Sequence, residues 1–240
     1  MLEQELVVER GLFFFLNGHH TAFWDDFFWL VSDKWAWVPF YACFLFVFAY
    51  KKHWKELVPV LLALALVIVL CDQIASGWVK PFVHRFRPTH HPDFQNLVQT
   101  VRDYRGGTYG FFSSHAANAF GLAVFTSLLF KNRKFTCTML LFAGLTGYSR
   151  LYLGVHFVSD VVVGALVGSG VAWLIYTVYV VCCQGLGNRE GLGNHQGLGN
   201  RKGCPYNMYS NEEILGLCIV FFIFIAIFLL MSFFCLNLAA

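Results

Sequence analysis

The run from Leu57 to Val79, LVPVLLALALVIVLCDQIASGWV, decides the fold of this chain. A helix needs about 20 apolar residues to cross the hydrocarbon core of a bilayer, and this run is long enough. Its one charged residue, Asp72, is interpreted as a hydrogen-bond acceptor between helices, with tuning of a nearby site or pairing with a buried base as alternatives. The run therefore predicts a transmembrane helix.

The composition of the whole chain supports a membrane protein. Of its 240 residues, 58% are hydrophobic and 13% are charged, which is about half the charged fraction of a typical soluble domain. These proportions exclude a disordered chain and a small disulfide scaffold. The net charge of +3 is too small to indicate nucleic-acid binding. The chain is expected to form one polytopic membrane domain.

Five further apolar runs accompany the first one. They are Trp35–Tyr50, His115–Phe130, Phe135–Leu153, Phe157–Cys183 and Ile214–Leu238. The predicted fold class is therefore all-α, a polytopic membrane helical bundle with about six transmembrane helices. Its core is expected to cover residues 35–183, and a separate C-terminal transmembrane helix residues 212–240.

Two segments do not have the character of a span. Residues 1–34 mix aromatic and polar side chains, which predicts one or two amphipathic helices at the membrane interface, with a seventh span as the alternative. Residues 184–211 contain three copies of Gly-Leu-Gly-Asn, beginning at Gly185, Gly191 and Gly197. Three short repeats cannot form a solenoid, and their glycines predict a flexible linker.

The order of the spans places the polar residues that precede or follow them on defined sides of the membrane. An even number of crossings brings one set to the same side: Lys80, Arg87, Ser113, His115, Arg150, His156 and Asp160. The loops of the opposite side carry Lys51, Lys52, Lys55, Lys131, Arg133, Lys134, Arg189, Arg201 and Lys202. Because basic loops favour the cytoplasm, the first set is expected to face outward.

This outward set suits the chemistry of a phosphate group. His156 and Asp160 are four residues apart, a spacing that on a helix puts both on one face. The carboxylate can hold the proton of one imidazole nitrogen, which leaves the other nitrogen as a nucleophile. His115, on another helix, could protonate a leaving oxygen. Taken singly, each residue has an ordinary structural role, as a helix-end anchor, a cap or a structural pair.

The cations and the start of the third span complete this interpretation. Lys80, Arg87 and Arg150 provide positive charges whose donors match phosphate oxygens. Ser113 and Ser114 precede His115 at a helix N-terminus, where backbone N–H groups bind anions. Phosphoryl transfer requires mainly positioning and charge stabilisation. These residues could supply both without a metal.

The same residues carry a resemblance to a known family. Lys80-Pro-Phe-Val-His-Arg-Phe-Arg87-Pro88 resembles a K-x6-R-P signature, Phe112-Ser113-Ser114-His115 resembles P-S-G-H, and Ser149-Arg150-x5-His156-x3-Asp160 resembles S-R-x5-H-x3-D. The three motifs, in this order, are similar to those of the type 2 phosphatidic acid phosphatases, relatives of the vanadium haloperoxidases. Phe112 and Ser114 depart from the middle motif; the first departure puts the rigidity of that loop in doubt.

The resemblance implies a mechanism and a set of roles. His156 would form a phosphohistidine, Asp160 would orient it, and His115 would protonate the leaving group. The phosphate would be held by Lys80, Arg87, Ser113, Ser114 and Arg150. The family implies no metal and no cofactor.

The resemblance also bears on the substrate and on the membrane. Sequences around Asp72, Arg87 and Asp103 are similar to the compact bacterial branch, which includes lipid A phosphatases and undecaprenyl-diphosphate phosphatases. We expect a lipid phosphate as the partner, with a preference for lipid A, and a bacterial inner membrane with the site facing the periplasm. Undecaprenyl diphosphate, phosphatidic acid and phosphatidylglycerophosphate are the alternative substrates. A haloperoxidase and a transport or structural protein are the rival classes.

Overall fold

The computed structural model of the chain describes residues 2–50, 53–190 and 210–239. These residues form α1 (Leu2–Asn17), α2 (Ala22–Ser32), α3 (Val38–Ala49), α4 (Trp54–Asp72), α5 (Lys80–Val83), α6 (Ser114–Phe130), α7 (Arg133–Tyr152), α8 (Val158–Glu190) and α9 (Asn211–Ala239). A π-helical segment, Gln73–Val79, joins α4 to α5, and two short 3-10 helices, Pro88–His90 and Gln95–Leu97, lie in the loop before α6. The described residues form no strand beyond one isolated bridge, so the predicted all-α class is confirmed.

Helices occupy all six predicted spans, but they differ in length. Three helical stretches are long and apolar enough to cross a membrane by themselves, Glu56–Val83, Val158–Cys183 and Asn211–Cys235. Helices α3 and α6 are apolar but shorter, with 12 and 17 residues. At 1.5 Å per residue these two helices extend about 18 and 26 Å. Among the described helices, three therefore satisfy the criteria for an independent span and the others are part of the bundle around them.

Helices α6 and α8 form the central contact of the bundle. Gly164 and Gly168 of α8 are four residues apart and face α6. A Cβ atom at Gly168 would lie 2.1 Å from the carbonyl oxygen of Ala117, and one at Gly164 would lie 2.5 Å from that of Ser113. Small residues at this spacing allow two helix backbones to touch in a membrane protein. The glycines thereby hold the start of α6 beside the start of α8.

The two N-terminal helices pack against the bundle. Asn17, at the end of α1, is buried, and its Nδ2 donates to the carbonyl oxygens of Gln99, Leu151 and Tyr152 at 3.0, 3.3 and 2.8 Å. In return, Asn17 Oδ1 accepts the N–H of Gln99 at 3.0 Å. Helix α2 contacts α7 and α9. The expected helices within residues 1–34 are present, and their position at the membrane interface stays a prediction.

The C-terminal helix belongs to the bundle. Helix α9 packs against α2, α3 and α7. Its Phe228 is buried and lies edge-on to Trp37, with 5.2 Å between ring centroids. Trp37 in turn contacts Phe142 of α7 at 4.9 Å. These aromatic contacts pack the last helix against the rest of the helical bundle.

The predicted linker begins later than residue 184. Helix α8 continues to Glu190 and so includes the first Gly-Leu-Gly-Asn repeat. The rest of the predicted linker, residues 191–209, lies outside the described residues.

Candidate active site

His156 and Asp160 meet at the start of α8. Helix α8 begins at Val158, so the interpretation that both residues share a helical turn is wrong: His156 lies in the turn that follows α7. The pair is retained nonetheless, with 3.4 Å between His156 Nδ1 and Asp160 Oδ2. Asp160 Oδ2 also accepts the N–H of Phe157 at 3.0 Å, which caps the helix. His156 and Asp160 are 1% and 0% exposed.

The environment of His156 keeps its imidazole neutral. Burial lowers the pKa of His156 well below 6.5, and the positive charges of Arg87, Arg150 and Lys80 lower it further. Nδ1 makes no hydrogen bond to the described residues, and the nearest carboxylate oxygen is that of Asp160. The imidazole also has a hydrogen bond with the backbone of Gly110. In the tautomer with the proton on Nδ1, that proton faces the Asp160 carboxylate and the lone pair is on Nε2. Neutral imidazole is the form that can attack phosphorus.

The N-terminus of α6 lies beside this pair. Ser113 is the N-cap residue, and its Oγ accepts the N–H of Ala116 at 3.4 Å. The N–H of Ser113 donates to the carbonyl oxygen of Asp160 at 2.9 Å. The N–H of Ser113 is thus engaged within the protein, whereas its Oγ acts only as an acceptor and its O–H can still donate. The N–H groups of Ser114 and His115 are left at this helix end without an acceptor among the described residues.

Lys80 approaches the same helix end from the other side. Its Nζ donates to Ser114 Oγ at 3.3 Å and to Ser76 Oγ at 3.2 Å. Ser76 Oγ in turn donates to Asp72 Oδ1 at 3.4 Å. Asp72 was expected to accept a hydrogen bond from another helix; in the structure it is connected to Lys80 through Ser76, along a single helical rod. These hydrogen bonds connect Asp72 to Lys80, and the alternative that Asp72 tunes the site stays a prediction.

Arg87 is enclosed by the loop that precedes α6. Its Nε donates to the carbonyl oxygen of Tyr109 at 3.1 Å, and its Nη1 to that of Val155 at 3.5 Å. Gly106 has a φ of +66°, and a Cβ atom there would lie 2.7 Å from Arg87 Nη1. The loop therefore needs glycine at this position, both for its left-handed backbone and for the closeness of the guanidinium.

Arg150 and His115 differ in exposure. Arg150 is 2% exposed; its Nη2 donates to the carbonyl oxygen of Ser32 at 3.3 Å, and its side chain interacts with the phenol of Tyr104. His115, on the first turn of α6, is exposed. The imidazole of His115 lies within electrostatic range of His156 and of the three cations. An exposed imidazole is suited to exchange protons with an incoming ligand.

Two residues of the site were not found from the sequence. Arg85 Nη1 donates to Asp160 Oδ1 at 2.8 Å and to Ser159 Oγ at 2.6 Å. Arg85 Nη2 contacts Glu9 Oε2 at 2.5 Å, and Glu9 Oε1 accepts the N–H of Ser159 at 3.0 Å. Arg85 lies within the first quoted motif, where nothing set it apart from its neighbours. Glu9 lies 76 residues earlier, in a segment interpreted as interfacial.

The arrangement has the parts that phosphoryl transfer requires. A neutral imidazole, a second imidazole and three cations converge on one helix N-terminus, and positioning with charge stabilisation is what this reaction needs. In the part of the chain that the structure describes, no three His, Cys, Asp or Glu side chains are grouped as in a metal site. Besides Arg85, which is paired with Asp160 and Glu9, the positive charges at this site are those of Lys80, Arg87 and Arg150.

Comparison of the sequence with known families and proteins agrees with the motifs. The profile of the PAP2 superfamily matches residues 56–182. The chain is 47% identical over 179 residues to a lipid A 4'-phosphatase of Porphyromonas gingivalis, covering 75% of this chain and 76% of that protein. It is 40% identical over 177 residues to a lipid A 4'-phosphatase of Bacteroides thetaiotaomicron, covering 73% and 79%.

Solved structures show the same architecture. The crystal structure of LpxE from Aquifex aeolicus is 27% identical in sequence, with a TM-score of 0.54, over 70% of this chain and 93% of that one. A transmembrane PAP2-type phosphatidylglycerolphosphate phosphatase from Bacillus subtilis shares the fold at 19% identity and a TM-score of 0.52, over 80% and 90%. The profile match alone covers more than half of the chain. The chain therefore belongs to the PAP2 superfamily and is an integral membrane phosphatase of that family.

Proposed function

We propose that this protein removes the 4'-phosphate of lipid A through a phosphohistidine on His156. The observation that carries the chemistry is the buried imidazole of His156, whose Nδ1 lies 3.4 Å from Asp160 Oδ2, close to the charges of Lys80, Arg87 and Arg150. The 47% identity to a lipid A 4'-phosphatase supports the choice of substrate. The reaction class and the substrate are separate parts of the proposal and are tested separately.

The first half of the reaction transfers the phosphoryl group to the protein. Nε2 of His156 attacks phosphorus, so a P–N bond forms while the P–O bond to the sugar breaks. His115 donates its proton to the leaving sugar oxygen. Asp160 holds the proton on Nδ1 and stabilises the imidazole as it gains positive charge. The product is a dephosphorylated lipid and a phosphohistidine.

The second half returns the protein to its starting state. His115, now neutral, removes a proton from a water molecule that attacks the phosphorus of the phosphohistidine. The P–N bond breaks, inorganic phosphate leaves, and His156 is again neutral. Throughout, Lys80, Arg87 and Arg150 neutralise the phosphoryl oxygens, with the N–H groups at the start of α6 as additional donors. These donors include those of Ser114 and His115, whereas Ser113 supports the helix end as its cap.

The surface beside the site suits the acyl chains of a lipid. Trp78, Phe82 and Phe86 flank Lys80 along the chain and are 74%, 87% and 41% exposed. Aromatic side chains at a membrane surface contact both head groups and acyl chains. A lipid phosphate can then present its head group to the cations while its chains stay in the bilayer. Undecaprenyl diphosphate, phosphatidic acid and phosphatidylglycerophosphate are the alternative substrates.

The proposed orientation places the site on the periplasmic side of a bacterial inner membrane. Exposed Arg133 and Lys134 lie at the start of α7, whereas Arg150 lies in its last turn, at the catalytic end. Basic loops favour the cytoplasmic side, which supports this direction. Residues 1–34 would then cover the bundle at the outer interface.

Phosphate release by detergent-purified protein tests the function. The substrates are bisphosphorylated lipid A, undecaprenyl diphosphate, phosphatidic acid and phosphatidylglycerophosphate, each with EDTA present, and mass spectrometry identifies which phosphate of lipid A is lost. With the wild-type protein, we expect loss of the 4'-phosphate and an acid-labile phosphoryl group on the protein, transferred from the substrate. We expect neither with His156→Asn. His19→Asn is the matched control, since His19 is exposed and lies in the connection between α1 and α2.

Each part of the proposal has its own contrary result. A higher kcat/KM for another lipid would overturn the substrate, and loss of the 1-phosphate would overturn the position. Undiminished release by His156→Asn would overturn the nucleophile. Bromination that depends on peroxide and added vanadate, in the absence of phosphatase activity, would favour the haloperoxidase class.

A further inference from the structure

The carboxylate of Asp160 has a second partner besides His156. Its Oδ1 accepts a hydrogen bond from Arg85 Nη1, and its Oδ2 accepts one from the N–H of Phe157. Because each oxygen accepts a hydrogen bond, the carboxylate has little freedom to rotate away from the imidazole. Asp160 is fully buried, whereas 23% of the Arg85 side chain is exposed. Arg85 is the residue that connects this buried carboxylate to the surface.

Glu9 holds Arg85 in this position. One oxygen of Glu9 contacts Arg85 Nη2, and the other accepts the N–H of Ser159. Ser159 Oγ accepts from Arg85 Nη1, so the guanidinium is held on both of its terminal nitrogens. The ring of Phe157 lies 4.6 Å from the guanidinium carbon. A guanidinium whose two terminal nitrogens both have hydrogen-bond partners is not free to turn toward another anion.

The charges explain why such an arrangement is useful beside a phosphate. An unrestrained arginine near the site would be attracted to the substrate and would leave Asp160. Glu9 offsets the charge of Arg85, and the pair of them leaves Lys80, Arg87 and Arg150 as the cations for the phosphate. The PAP2 profile matches the chain only from residue 56 onward. Glu9, on α1, therefore lies outside the matched segment.

We propose that Arg85 and Glu9 are positioning residues for the Asp160–His156 pair, and that α1 is part of the catalytic apparatus. The inference rests on the proposed phosphatase function. Arg85 fixes the carboxylate, Glu9 fixes Arg85, and neither touches the substrate. Loss of either residue is therefore expected to slow phosphoryl transfer without weakening phosphate binding.

Rapid-quench, single-turnover kinetics test this role. The rate constant of phosphohistidine formation does not depend on the fraction of inactive protein, so a folding defect alone leaves it unchanged. The variants are Glu9→Gln, Arg85→Gln and both together. Asp26→Asn is the matched control, since Asp26 forms a 2.8 Å ion pair with Arg102 that also joins an N-terminal helix to the loop between α5 and α6.

We expect Glu9→Gln and Arg85→Gln to lower the rate constant by about 10- to 100-fold, as loss of an orienting partner does elsewhere. KM should stay within about threefold of the wild-type value, and the double variant should be no slower than Arg85→Gln, because both residues act in one chain. Asp26→Asn should stay within about twofold of wild type, since exposed pairs contribute little.

The contrary results are distinct from failure of the proposed function. A wild-type rate constant in Glu9→Gln, or additive effects in the double variant, would overturn the inference. A large rise in KM for Arg85→Gln would place Arg85 at the phosphate instead. If lipid A is not a substrate, p-nitrophenyl phosphate replaces it. If the wild-type protein releases no phosphate from either, binding of orthovanadate is measured, because vanadium accepts a bond from a correctly placed imidazole nitrogen and so reports on its position rather than on anion binding alone. Equal affinity in wild type and Arg85→Gln would then overturn the positioning role.

Discussion

Replacing Gly168 by alanine separates two helices that the active site requires to be in contact. Gly168 lies on α8 where its backbone meets that of α6, and an added Cβ would lie 2.1 Å from the carbonyl oxygen of Ala117. That distance is more than 1 Å short of an ordinary van der Waals contact, which begins at 3.4 Å. The obstructing atom belongs to a helix backbone, so no side chain can turn away to make room. The helices must move apart.

The size of the effect follows from this geometry. Overpacking a close contact typically costs about 1–3 kcal/mol, so the free energy of unfolding should fall by that amount. The displacement also reaches the proposed catalytic residues, because the N–H of Ser113 is hydrogen-bonded to the carbonyl oxygen of Asp160. A displacement of about 1 Å can lower a catalysed rate about 100-fold. We expect kcat of Gly168→Ala to fall by that order.

Gly170→Ala is the matched control for Gly168→Ala. Gly170 is two residues further along α8, and a Cβ atom there meets nothing within 4 Å. Alanine favours a helix over glycine by about 0.5–1 kcal/mol, so Gly170→Ala should retain activity and stability. Thermal unfolding in detergent and phosphate release are measured for both variants. Equal melting temperatures for the two would refute the close contact between α6 and α8.

Three further substitutions test other parts of the site. Gly106→Ala should lower activity, because Gly106 has a φ of +66° and a Cβ atom there would lie 2.7 Å from Arg87 Nη1. Gly107→Ala should retain activity, because a Cβ atom at Gly107 would meet no atom within 4 Å. Because the pKa of His156 is lowered on folding, only the unfolded chain gains its proton as pH falls below about 6.5. Stability should therefore decline on acidification, and His156→Asn should flatten this part of the curve measured by thermal unfolding. Asn17→Ala should cost about 1–3 kcal/mol in chemical unfolding, since it leaves the N–H and the carbonyl oxygen of Gln99 without their partner. An unchanged midpoint would contradict its bridging role.

The convergence of the site could be predicted because it depends on the number of crossings. Lys80, His115, Arg150 and Asp160 lie at ends of successive helices, and an even number of crossings returns the chain to the same face. That argument needs only the apolar runs, whose length is set by the bilayer. The argument contains no information on local backbone or side-chain geometry. It therefore could not predict features that depend on that geometry. The start of α8 at Val158, after His156, is such a detail.

The contribution of the N-terminal helix has a different physical origin. Glu9 and Asn17 act through contacts with Arg85 and Gln99, over sequence separations of 76 and 82 residues. A hydropathy pattern reports which face of a helix is apolar, but it does not report which distant polar group will satisfy a buried amide or carboxylate. A polar residue within a weakly apolar segment is compatible with solvent, a head group or a partner in the fold. The distinction arises only when α1 packs on the bundle and the polar groups there require partners. This is why the residues proposed to bind the phosphate could be named from motifs, whereas Glu9, Arg85 and Asn17, which pack around them, could not.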